Sequence, residues 1–120
     1  MKKLQEFTKH YQKELNYHIQ GHTYEQQKSS ILINYMLLTT EVAEIGELLR
    51  EIFQVTESLI EQGESEENAF NMAKEKIVEE MGKEISDCIA YLCKFGNYFN
   101  RDMEEDFYQK MDEVKNRVKA

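Results

Sequence analysis

Apolar residues recur along this chain with a helical period, and the interruptions divide it into four segments. Leu4, Phe7, Tyr11, Leu15 and His18 fall at helical spacing and predict a first helix over roughly residues 2–19. Gly21 breaks it, and a polar loop follows through Lys28. Ser29 or Ser30 is expected to cap a second, long helix running to about Gln62. Leu38, Val42, Ile45, Leu49, Ile52 and Phe53 form its apolar stripe, and Gly63 stops it. Ser65 then caps a third long helix, with Glu66 and Glu67 in its first turn, carrying Phe70, Ala73, Ile77, Met81, Ile85, Cys88, Leu92, Phe95 and Phe99. Asp102 and Glu105 resemble a capping box that opens a fourth helix, with Phe107, Met111, Val114 and Val118 on its inner side.

This pattern predicts an all-α fold, a single domain over 1–120. Short connections make neighbouring helices antiparallel, so the two long helices form the centre of an antiparallel bundle. Residues 41–47 would then face residues 84–87. Gly46, Gly82 and Gly96 lie inside the predicted helices; Gly46 and Gly82, which adjoin the acidic pairs, read either as points of close helix approach or as ordinary packing. The aromatic patches around Phe95, Tyr98, Phe99, Phe107 and Tyr108 predict self-association.

Composition narrows the class. The chain has 120 residues, no proline and 41% hydrophobic residues, which suits one globular helical domain. A net charge of −8 argues against a nucleic-acid backbone as partner. Cys88 and Cys93 have neither zinc nor disulfide spacing and read as buried thiols in a reducing cytosol. No apolar stretch follows Met1-Lys2-Lys3, and the run Ile31–Leu38 is too short to span a bilayer, so the expectation is a soluble cytoplasmic protein without membrane contact.

The candidate chemistry lies in two acidic pairs, Glu41-Val-Ala-Glu44 and Glu84-Ile-Ser-Asp87. With 23 acidic residues, about four such pairs arise by chance, so spacing alone is a weak signal. Their flanks are stronger: Val42, Ile45, Leu48 and Leu49 surround the first, and Ile85, Cys88, Ile89 and Leu92 the second. On a helix each pair shares one face, and four carboxylates at a core edge call for a positive partner. The natural candidate is a hard cation, Mg²⁺, with Mn²⁺ as a substitute. Glu47 and Glu80 flank the pairs as outer neighbours or plain surface charges. Lys83 reads as a solvent-directed cation, and Asn97 and Asn100 as helix-terminating residues. His18 and His22 are four apart, but Gly21 breaks the helix between them. No Glu-x-x-His occurs, which counts against a di-iron bundle. The loop 21–28, with His22, Tyr24 and Gln26, reads as a solvated loop or a cover for a nucleobase.

Taken with the apolar run from Cys88 to Cys93, these acidic pairs resemble the MazG-like all-α nucleoside triphosphate pyrophosphohydrolases. The segment Lys110-Met-Asp-Glu-Val-Lys-Asn-Arg117 is similar to that family's closing segment. The likeness covers roughly residues 35–118, and it makes 1–28 an extra helix and loop beside a core of 29–120 that carries the acidic motifs. The spacing between the acidic pairs is longer than usual in the family, and Val114 stands where relatives often carry Asn.

The resemblance implies that Glu41, Glu44, Glu84 and Asp87 hold Mg²⁺, and that water attacks the α-phosphorus of an NTP or dNTP to give a monophosphate and pyrophosphate. Glu44 or Glu41 would orient or deprotonate that water. Lys110 and Arg117 would contact phosphates. It also implies a homodimer or a dimer of dimers (a homotetramer). The competing reading is a non-enzymatic helical adaptor whose acidic faces keep it in solution. A third is a phosphohydrolase acting on another pyrophosphate-containing metabolite.

Overall fold

The computed structural model describes residues 1–119, and every regular element among them is a helix. The order is α1 (Lys2–Glu14), α2 (Tyr24–Glu61), α3 (Glu66–Tyr98) and α4 (Met103–Lys119). No helix among these residues is long and apolar enough to cross a membrane.

The helix ends explain where expectation and structure part. α1 stops at Glu14, short of Gly21, because Asn16 takes the left-handed conformation (φ 59°). The Tyr17 N–H then donates to the Gln12 carbonyl at 2.7 Å and the Asn16 N–H to that of Lys13 at 3.1 Å, closing the last turn. α2 starts at Tyr24 rather than after Ser29 or Ser30. Thr23 Oγ1 accepts from the Gln26 N–H at 3.1 Å, while Gln26 Oε1 accepts from the His22 and Thr23 N–H groups at 2.8 and 3.3 Å. This reciprocal cap satisfies donors that would otherwise be orphaned, so the expected loop through Lys28 is already helical from Tyr24. Ser30 instead accepts from the Gln20 N–H at 3.2 Å and ties the α1–α2 connection to the helix.

The remaining ends follow the sequence signals. Gly63, at φ 106°, stops α2, with the Glu64 N–H reaching the Leu59 carbonyl at 3.1 Å. Ser65 caps α3 through the Asn68 N–H at 3.2 Å. Asn100, at φ 55°, ends α3 in the same way as Asn16 ends α1. Asp102 caps α4 by accepting from the Glu105 N–H at 3.1 Å. The Glu105 carboxylate accepts from the Gln109 amide at 3.3 Å instead of turning back to complete the box.

The chain divides into two compact units: residues 35–89 form one, and residues 1–34 with those from 90 onward form the other. In the 35–89 unit α2 and α3 pack through Ile52, Ala73 and Ile77, with Leu48 and Val55 against them. Ala69 and Ala73 are fully buried. Ile77 is only 4% exposed. Ile77→Ala should therefore cost about 2–5 kcal/mol, read as a lower urea midpoint with unchanged slope.

In the other unit most of the buried side chains are polar: Gln5, Thr8, Gln12, Asn34 and Lys94 beside Ile19 and Cys93. Gln5, Thr8 and Gln12, three positions on one face of α1, are buried. The Gln5 amide nitrogen donates to the Arg101 carbonyl, its Oε1 accepts from the Met103 N–H at 3.0 Å, and its backbone carbonyl accepts from Asn97 Nδ2 at 3.2 Å. Gln12 donates to the Ala90 carbonyl at 3.0 Å. Such partners are what makes burial of polar side chains tolerable. Leu4, Phe7, Tyr11 and Leu15 are correspondingly exposed, Phe7 at 65%. The expected inner side of α4 is a correction of the same kind: Phe107, Met111 and Val118 are exposed, and only Val114 is half-buried. Close helix approach at Gly46 and Gly82 is also corrected, since a Cβ at either would meet nothing within 4 Å. At Gly96 the Met103 side chain fills the space a Cβ would take.

Candidate functional site

Both acidic pairs belong to the 35–89 unit: Glu41 and Glu44 lie on α2, one turn apart, and Glu84 and Asp87 on α3. One carboxylate oxygen from each of Glu41, Glu84 and Asp87 lies within 4.8 Å of the others. Glu41 and Glu84 are half-buried and Asp87 is exposed, so the cluster sits at the edge of the packed layer with one side open. Glu44 stands outside this group, yet its charge acts on Glu41.

The electrostatics are those of crowded anions. Burial, then the Asp87, Glu84 and Glu44 charges, then a hydrogen bond with Glu84, raise the proton affinity of Glu41 above the usual carboxylate range. Cys88, one residue beyond Asp87, is buried, and burial together with the Glu41, Asp87 and Glu84 charges keeps its thiol protonated. Among the described residues no lysine or arginine forms an ion pair with Glu41, Glu84 or Asp87. The charge that would relieve them is not supplied by a paired side chain.

The flanking candidates sit in solvent-facing pairs. Glu47 pairs with Arg50 at 3.8 Å and Glu80 with Lys83 at 3.4 Å, all four side chains being well exposed. Lys110 and Arg117 belong to the other unit, on α4. Lys110 pairs with Glu113 at 3.5 Å, and Arg117 lies in the last turn. Asn97 holds α1 through Gln5, and Asn100 terminates α3. His22 is exposed in the cap of α2, while His18 lies in the α1–α2 connection. Beside that connection Tyr98 donates to Gln27 at 2.6 Å, next to a hollow lined by Tyr24, Lys28 and Leu32.

Sequence reasoning overlooked Lys94, whose ammonium donates to Asn34 Oδ1 at 2.8 Å in a buried bond. The signal was present: Asn34 interrupts the apolar run Ile31–Leu38, and Lys94 stands between Cys93 and Phe95. A polar residue inside an apolar run predicts a buried partner.

No family model, no curated protein and no solved structure matches this chain.

Proposed function

We propose that the chain is a Mg²⁺-dependent nucleoside triphosphate pyrophosphohydrolase of the MazG-like kind, cleaving an NTP or dNTP to a monophosphate and pyrophosphate. The observation that carries this reading is the convergence of Glu41, Glu84 and Asp87 from two helices, with no paired cation to relieve them. The donor set fits Mg²⁺ or Mn²⁺: hard carboxylate oxygens lie close to one another, and the neighbouring soft atom, Cys88 Sγ, is held protonated by burial and the nearby carboxylates.

A bound divalent cation would neutralise phosphate charge and lower the pKa of an attacking water. The protein's own contribution is placement. Glu84 and Asp87 come from one turn of α3 and Glu41 from α2, so the packing of Ile52 on Ala73 and Ile77 fixes their separation. Glu41, or Glu44 one turn away and exposed, orients or deprotonates the attacking water in this reading. By the resemblance, Lys110 and Arg117 are candidates for phosphate contact.

The two long helices run antiparallel in the proposed architecture, and a second copy covers their outer faces. Val42 and Leu49 on α2, and Val78 and Ile85 on α3, recur at seven-residue spacing and are all exposed, which is how a helical seam awaiting a partner is written. The assembly is a dimer or a dimer of dimers.

The test is an end-product assay over ribo- and deoxynucleoside triphosphates with Mg²⁺. Pyrophosphate and monophosphate should appear together and stop on chelation. Orthophosphate as the sole primary product would exclude this reaction.

A further inference from the structure

The unit formed by residues 1–34 and those from 90 onward contains a cavity of about 220 Å³ with a different character from the acidic cluster. Lys9, Lys13, His18, Lys94, Asn97 and Asn100 line it, and no Asp or Glu does. Three lysines around one small cavity are unexpected in a chain of net charge −8.

Two of these groups are left in unfavourable states by the protein alone. Lys94 is 8% exposed, and its ammonium has Asn34 Oδ1 at 2.8 Å and the Tyr91 ring centroid at 4.6 Å. No carboxylate among the described residues forms an ion pair with it. A buried cation with neutral partners is costly, and burial accordingly holds its proton affinity below that of an ordinary lysine. His18 is the second: its Nδ1 is buried without a hydrogen-bond partner. Ammonium groups, two amides and an imidazole offer a dense set of donors, which is what a multiply charged oxyanion needs.

Size restricts the ligand. Sites for drug-sized molecules are about 300–1,000 Å³, so this cavity suits a small oxyanion rather than a whole nucleotide. A neighbouring hollow shares Lys9, Asn97 and Asn100 and adds Lys2 and Arg101, but Glu6 and Asp102 line it too, so its charge is mixed.

We propose that the cavity lined by Lys9, Lys13, His18 and Lys94 is a binding site for a phosphate-type oxyanion, inorganic phosphate or pyrophosphate. It belongs to the unit that lacks the acidic pairs, so it stands whether or not the chain hydrolyses nucleotides.

The experiment is calorimetric titration of the full chain, in EDTA and at fixed ionic strength, with inorganic phosphate and with pyrophosphate in separate arms. The chelator removes any contribution from a metal at the carboxylates. Saturable binding is expected in at least one arm, and the tighter arm identifies the source. Lys9→Gln/Lys13→Gln and Lys94→Met should each weaken it by about tenfold or more, and Lys115→Gln, outside the cavity, should leave it unchanged. The His18 imidazole resonances should move in step with saturation. Should Lys94→Met fail to fold, the exposed Lys9/Lys13 pair still decides. Absence of saturable binding in both arms, or the same affinity in Lys9→Gln/Lys13→Gln as in the parent, overturns the proposal.

Discussion

Asp87→Asn is expected to abolish nucleotide hydrolysis while leaving the metal-free protein at least as stable as the parent. The two effects have one origin. The Asp87 charge follows only burial among the causes that raise Glu41's proton affinity, so removing it relieves a repulsion as it deletes one of the proposed metal ligands. The sign of the pH dependence follows. A carboxyl whose folded-state pKa lies above its unfolded value contributes stability at low pH that is lost as pH rises through the folded value. The metal-free parent therefore loses stability from Glu41 as pH climbs above the usual carboxylate range, and the variant loses less. The gap in melting temperature between Asp87→Asn and the parent, measured in EDTA, should widen from acidic to neutral pH. Mg²⁺ should then raise the parent's melting temperature and move the variant's much less. An unfolded variant, or one with full activity, would make Asp87 a structural residue and remove it from the site.

Leu49→Glu/Phe53→Glu is expected to turn an associated protein into a monomer. Leu49 is 44% exposed and Phe53 59%, while Ile52 beside them is buried against Ala73 and Ile77. The two substitutions thus touch the outer side of α2 and spare the contact that holds it to α3. Burying side chains of this size is worth about 1.5–3 kcal/mol each, so losing both weakens association by about a hundredfold or more, before the cost of burying the new charges. Sedimentation equilibrium at micromolar concentration reads the mass directly, and helical circular dichroism checks that the fold survives. A parent already monomeric under those conditions would remove the proposed seam.

The four helices were legible because periodicity survives over long segments, and Gly63, Ser65 and Asp102 mark ends by local chemistry alone. The start of α2 was misplaced because a Thr23–Gln26 cap reads as loop until its reciprocal bonds are recognised. The end of α1 was misplaced because Asn16 can take the conformation usually reserved for glycine. What periodicity could not give was direction. Phe107, Met111 and Val118 mark an apolar stripe on α4, but a stripe says only that one face is apolar, not whether the same chain covers it. The acidic pairs were legible as pairs; that Glu41 meets Glu84 and Asp87 while Glu44 stands apart required the rotation of each helix. Lys94 and Asn34 each stand out as polar residues in apolar runs, but their pairing was missed because sixty residues separate them.

Gln5 makes the corner between α3 and α4 dependent on chain closure. Asn100 and Asp102 supply a turn that looks self-sufficient in sequence, yet two of its main-chain groups, the Arg101 carbonyl and the Met103 N–H, are satisfied by a side chain 96 and 98 residues away. Closing so long a loop costs entropy that a local turn does not repay. The fixed geometry of the corner is therefore tied to the docking of α1, and Gln5→Ala should loosen α1 and the start of α4 together, read as faster hydrogen exchange at the Met103 amide.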